Sequence, residues 1–141
     1  MSHDAERRTF LERASKGLMA AGLASCAGIP VFTTSAVGGR ISIYLGQFPD
    51  LETPGKGIVV RAEQAAEPII LLALAGGRFR ALSGVYTHLA CSVRLSAHGL
   101  SCPCHGSTFA LDGRATRGPA PDDLHTYPTV LSDNSVVITL N

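Results

Sequence analysis

The chain is short of charge. Only 16% of its residues are Asp, Glu, Lys or Arg, and together they leave a net charge of +1. That balance gives no electrostatic footprint for nucleic acid, and no basic patch is visible, so no nucleic-acid partner is expected. Long apolar runs are lacking too. Nothing approaches about 18 uninterrupted strongly apolar residues, so no clear membrane-spanning helix stands out. Fifteen Gly and eight Pro beside so few charges argue against a helical bundle or coiled coil. No internal repeat is evident. At 141 residues there is room for one domain and a short appendage. Cysteine numbers only four. An even count leaves two disulfides and a metal site equally open.

The first forty residues read as an address. Glu6-Arg7-Arg8-Thr9-Phe10-Leu11 sets paired arginines before a polar and two apolar residues. It resembles the twin-arginine export signal of bacteria. Lys16 precedes a mildly apolar, Ala- and Gly-rich run from Gly17 to Phe32, the composition of an export h-region. Within it, Leu23-Ala24-Ser25-Cys26 resembles a lipobox, which would make Cys26 a lipidation site. The rival reading keeps the run as an uncleaved anchor, weakened by Gly22, Gly28 and Pro30. Either way the domain is expected outside the cytoplasm, at a bacterial cell-envelope membrane, with Thr33–Arg40 as a linker. The leader carries Arg7, Arg8, Arg13 and Lys16 against Asp4, Glu6 and Glu12, so the net +1 belongs to it. The expected division is leader plus linker over 1–40 and a folded domain over 41–141.

The folded domain reads as all-β. Ile41, Ile43 and Leu45 alternate with Ser42 and Tyr44, as in a half-buried strand. Gly57–Arg61 is a second strand. The apolar run Pro68–Ala75 is too short for a typical helix and ends at Gly76-Gly77, so with Arg78–Leu82 it predicts a hairpin. Val93 and Leu95 predict another strand with His98-Gly99 as its turn. Thr108–Leu111 leads into the hairpin signal Asp112-Gly113. Leu124–Val130 and Ser135–Leu140 flank Asp133-Asn134 and close the chain. No convincing helix follows residue 40. An antiparallel sandwich or small barrel is expected.

The chemistry concentrates in two loops. Tyr86-Thr87-His88-Leu89-Ala90-Cys91 and Cys102-Pro103-Cys104-His105-Gly106-Ser107 hold three of the cysteines and two of the five histidines. Cys-x-x-His lets one loop point two ligands at one metal ion. Neighbouring Gly and Pro let backbone N–H groups approach a bound group closely. His3, His98 and His125 lack ligand spacing; His98 is expected in a solvent-facing turn and His125 on a strand face.

These boxes resemble those of the Rieske iron–sulfur family, Cys-Thr-His-Leu-Gly-Cys and Cys-Pro-Cys-His-Gly-Ser. The second is matched in full at Cys102–Ser107, the first at Thr87, His88, Leu89 and Cys91. Gly118-Pro119-Ala120-Pro121 looks like the family's proline loop. The resemblance covers the chain from about Ile41 to its end and implies an antiparallel β-sandwich with two cluster-binding loops. It implies a [2Fe-2S] cofactor with His88 and His105 on the outer iron and Cys102 on the inner iron. It further implies a Cys91–Cys104 disulfide, typical of the membrane-complex branch and suited to an oxidising compartment. Ser107 would donate a hydrogen bond toward a cluster sulfur and raise the potential. Gly106 and Pro119 would line the cluster, and Leu89 would be an apolar contact where a quinone or partner docks.

The sequence departs from the family at the second inner-iron ligand, where Tyr86 replaces Cys. Three outcomes follow. Tyr86 phenolate ligates iron as a harder donor and lowers the potential; or three protein ligands plus water hold a labile cluster; or the domain is an apo scaffold, or a single-ion site such as zinc on His88, Cys102 and His105. Ala90 replaces a Gly in a tight loop. Phe109 replaces a Tyr that in many high-potential members donates to a ligand sulfur. These changes point away from a high-potential quinol oxidant.

The resemblance implies an electron-transfer subunit, passing electrons from a quinol or other donor to a cytochrome-type acceptor. It would serve a cytochrome bc-type or arsenite-oxidase-like oxidoreductase and hold no substrate site of its own. A degenerate structural or binding module is the alternative. A free-standing catalytic metalloenzyme ranks last, since no helix-borne ligand motif or separate catalytic domain accompanies the site.

Overall fold

The computed structural model describes residues 28–86, 90–120 and 122–141. The twin-arginine segment and Cys26 lie outside the described residues, as do Thr87, His88, Leu89 and Pro121, and only the last residues of the apolar run fall within them. Among the described residues there is no α-helix, and no helix long and apolar enough to cross a membrane.

Among the described residues fourteen strands follow one another. They are β1 Val31–Thr34, β2 Arg40–Tyr44, β3 Gly57–Ala62, β4 Ile69–Leu74, β5 Arg78–Ser83, β6 Val85–Tyr86 and β7 Cys91–Ser92. Then come β8 Arg94–Ser96, β9 Gly99–Cys102, β10 Ser107–Phe109, β11 Ala115–Arg117, β12 Thr126–Tyr127, β13 Thr129–Ser132 and β14 Ser135–Thr139. A five-stranded sheet runs β1-β3-β4-β5-β12, and a three-stranded sheet runs β13-β14-β2. A four-stranded sheet runs β11-β10-β9-β8, and β6 and β7 form a hairpin of their own.

The central strand β4 explains the apolar run that contains it. Its residues alternate in direction, as strand residues must. Ile69, Leu71 and Ala73 enter one core with Ile41 and Ile43 of β2, Ile58 and Val60 of β3, and Val136 and Ile138 of β14. Ile70 and Leu72 enter a second core with Leu82, Leu100, Phe109 and Leu124. A strand buried on both faces needs no polar positions, so its sequence shows none. The partners β2 and β14 bury alternate residues only, and their sequences alternate accordingly.

Most of the expected strands are present, with three differences. Val31–Thr34, where the expected apolar run ends and the expected linker starts, is a strand: it pairs with Val59–Ala62, and this ladder is parallel. The expected strand Leu124–Val130 is two. Thr126–Tyr127 pairs with β5, whereas Thr129–Ser132 pairs with β14. Pro128 stands at the break, where its missing N–H cannot serve a ladder. His125 precedes β12 instead of lying on a strand face, and its Nε2 meets Asn141 Oδ1 at 3.2 Å. The turns behave as their residues demand. Gly76 and Gly77 have φ of +76° and +68°, and the two-residue Asp133-Asn134 turn has +46° and +62°.

The two-core arrangement makes Leu72→Ala, fully buried in the second core, costly by about 2–5 kcal/mol in urea unfolding. Val37→Ala, at a side chain 82% exposed, should change stability by less than about 0.5 kcal/mol.

Candidate metal centre

Both ligand-bearing loops are tips of short hairpins resting on the second core. In the first, Tyr86 of β6 is paired with Cys91 of β7. In the second, Cys102 of β9 is paired with Ser107 of β10. Paired residues share a face of their ladder, so each hairpin sends two side chains the same way. The expectation placed Cys102 and Ser107 in a loop; both terminate strands, which fixes their backbones before any ligand binds. The short Pro103–Gly106 turn between them is closed by Gly106 N–H donating to Cys102 O at 3.0 Å.

The hairpins meet through sulfur. Cys91 Sγ lies in bonding contact with Cys104 Sγ, the expected partner, and with Cys102 Sγ as well. All three sulfurs lie within 4.8 Å of one another. Cys91 and Cys102 are buried and Cys104 is exposed. A disulfide sulfur takes one sulfur partner, so Cys91 bonds to one of the two at a time. Sequence spacing alone does not show that the predicted ligand Cys102 also reaches Cys91.

Tyr86 is 4% exposed and sits among Cys91, Cys102 and Phe109, with its ring 5.8 Å from that of Phe109. His105 is exposed on the second turn. His88 and Leu89 lie outside the described residues, so the structure brings Tyr86, Cys91 and Cys102 together in the second core and leaves the first-loop histidine undescribed. The family's fourth donor position thus carries a buried phenol beside a buried thiol. That donor set fits a centre of one thiolate, one phenolate oxygen and imidazole nitrogens. It does not fit an inner iron held by two thiolates.

The proline loop braces the second hairpin. Ser107, 2% exposed, accepts a hydrogen bond at 3.2 Å from Ala120 N–H. That bond uses a lone pair and leaves the hydroxyl proton to donate elsewhere. Gly118 has φ +97°, and a Cβ there would stand 2.7 Å from Ser107 Cα and 3.1 Å from Gly106 O. At Gly118 the loop therefore meets the ligand hairpin backbone to backbone. Pro119, expected to line the cluster, is exposed. Ala90 has φ +49°, the left-handed region where a Cβ is strained.

With that geometry in view, comparison with known proteins is decisive. Residues 44–128 match the Rieske [2Fe-2S] domain family. The chain belongs to that family. The pairing of Cys91 with the second loop fits its disulfide-containing, membrane-complex branch. Among curated relatives, the cytochrome b6-f complex iron-sulfur subunit of Chlorobaculum tepidum is 36% identical over 67 residues, 46% of this chain and 37% of the relative. The chain thus matches only about a third of the length of such relatives. The crystal structure of the plasma membrane Rieske protein PetC3 from Synechocystis PCC 6803 is 29% identical with a TM-score of 0.56, covering 65% of this chain and 93% of that one. A hyperthermophilic respiratory Complex III chain shares the fold at 21% identity and TM-score 0.52, over 94% of this chain and 90% of its own. Membership in the Rieske family implies a [2Fe-2S] cluster as the cofactor.

Two substitutions test the bracing. Ala90→Gly should raise stability by about 0.5–1 kcal/mol, because relief of left-handed strain outweighs the added chain entropy of glycine. Gly118→Ala should lower it by about 2–3 kcal/mol, because the new methyl meets backbone that cannot step aside. Thermal or urea unfolding reads both.

Proposed function

We propose that this Rieske domain is a one-electron carrier at the outer face of a bacterial membrane. It receives electrons from a quinol or other donor and passes them to a cytochrome-type acceptor. The observation that carries this reading is the joining of two ligand hairpins by Cys91 within a chain of the Rieske family. The residues that would hold the [2Fe-2S] cluster are His88 and His105 for the outer iron, Cys102 and Tyr86 for the inner. When bound, the cluster supplies a site that accepts and releases one electron. The named relatives, subunits of cytochrome b6-f complexes, support a membrane-complex partner for this chain. Paired Arg7-Arg8 and the lipobox-like Cys26 support export and attachment by a lipid or an uncleaved anchor.

The chain's own residues set the tuning. Cys102 is buried on the core side, whereas His105 is exposed on the turn, within reach of a docking partner. Tyr86 offers a hard oxygen in place of a thiolate, which favours the ferric state. Phe109 packs on Tyr86 and brings no hydroxyl to the centre. Both effects lower the potential, so a donor more reducing than that of high-potential relatives suits this domain. Buried Tyr86 also favours a second reading, a Rieske-fold module that assembles with partners and carries no cluster.

Iron, acid-labile sulfide and the electron paramagnetic resonance signal of the purified full chain separate the two. We expect iron and sulfide near stoichiometry in the wild type. Tyr86→Cys should retain the cluster longer and shift its potential upward. Iron and sulfide absent from the wild type but present in Tyr86→Cys would establish the cluster-free module.

A further inference from the structure

The sulfur arrangement holds more than one disulfide requires. Cys91 is 6.2 Å, Cα to Cα, from both Cys102 and Cys104. Both separations lie within the range of about 4.4–6.8 Å that a disulfide spans. The three sulfurs already share one space within 4.8 Å. Cys102 and Cys104 flank a single proline, so one turn of backbone presents both to Cys91. Changing partner therefore needs side-chain rotation and no relocation of the hairpins.

We propose that Cys91, Cys102 and Cys104 form an exchange triad, in which Cys91 bonds to either partner and so frees or masks Cys102 as a metal ligand. Cys102, as thiolate, attacks Cys91 Sγ in the Cys91–Cys104 bond. The Cys91–Cys102 bond forms, the Cys91–Cys104 bond breaks, and Cys104 leaves as a thiolate. Cys104 then takes up a proton equivalent to the one Cys102 gave up. No electron is gained or lost, so the step needs no oxidant or reductant. In one isomer the buried Cys102 thiol is available to a metal. In the other it is masked, and the spare thiol is the exposed Cys104. The metal-free chain thus carries a switch on its own ligand set, whichever reading of its redox role holds.

Counting thiols tests this in the full chain with Cys26→Ala, so that every remaining cysteine belongs to the triad. The metal-free protein is equilibrated in a glutathione redox buffer, alkylated at acid quench and mapped by tandem mass spectrometry. We expect one alkylated cysteine per chain, divided between positions 102 and 104. Cys104→Ser should show no free thiol, because Cys91 closes on Cys102. Alkylation confined to Cys102, with two free thiols in Cys104→Ser, would overturn the triad. If Cys104→Ser fails to fold by circular dichroism, the map of the parent protein decides alone.

Discussion

A single strand buried on both faces organises this protein. Side-chain directions alternate along β4, so Ile69, Leu71 and Ala73 fill one core while Ile70 and Leu72 fill another. Neither core is large, and a domain of this size has little hydrophobic area to spare. Sharing β4 couples them, so the sandwich on one side stabilises the ligand hairpins on the other. The hairpins could not stand alone: β6–β7 is two residues per strand, far below what an isolated hairpin needs.

From that platform the site follows by packing. Leu82, Leu100, Phe109 and Leu124 support Tyr86, Cys91 and Cys102 from beneath. The turn above carries Cys104 and His105 into solvent. Side chains on the core side, Tyr86, Cys91 and Cys102, are held rigid and dry, and those on the solvent side stand open to contact. The proline loop closes the assembly at Gly118, where absence of a side chain lets two backbones touch. Sulfur contact fastens one hairpin to the other and substitutes for hydrophobic area the loops do not have.

Much of the fold was legible in local pattern. Strict alternation at Ile41 and Ile43 marked β2, since one of its faces is wet. Gly76-Gly77 and Asp133-Asn134 marked turns because few residues accept positive φ. Less legible were strands that owe their existence to partners. Val31–Thr34 reads as the tail of an export segment, and only its ladder with β3 makes it a strand. Gly99–Cys102 starts in the expected His98-Gly99 turn and ends on the first residue of a ligand box, so its four residues show no pattern of their own. The site residues were legible as types and spacing, and Tyr86 was visible as the missing cysteine. Its burial against Phe109 was not.

The sequence by itself determined the family, the ligand types and the neutral charge of the folded part, because these depend on which residues are present and how far apart. Only the tertiary structure decided which sulfurs meet. Cys102 and Cys104 stand 11 and 13 residues from Cys91, a difference that selects neither, and a disulfide pairing is a statement about space. Folding two hairpins onto the face of β4 brings both within reach of one sulfur. The same packing puts a phenol where the family places a thiol, and no spacing rule foretells how that ring is housed.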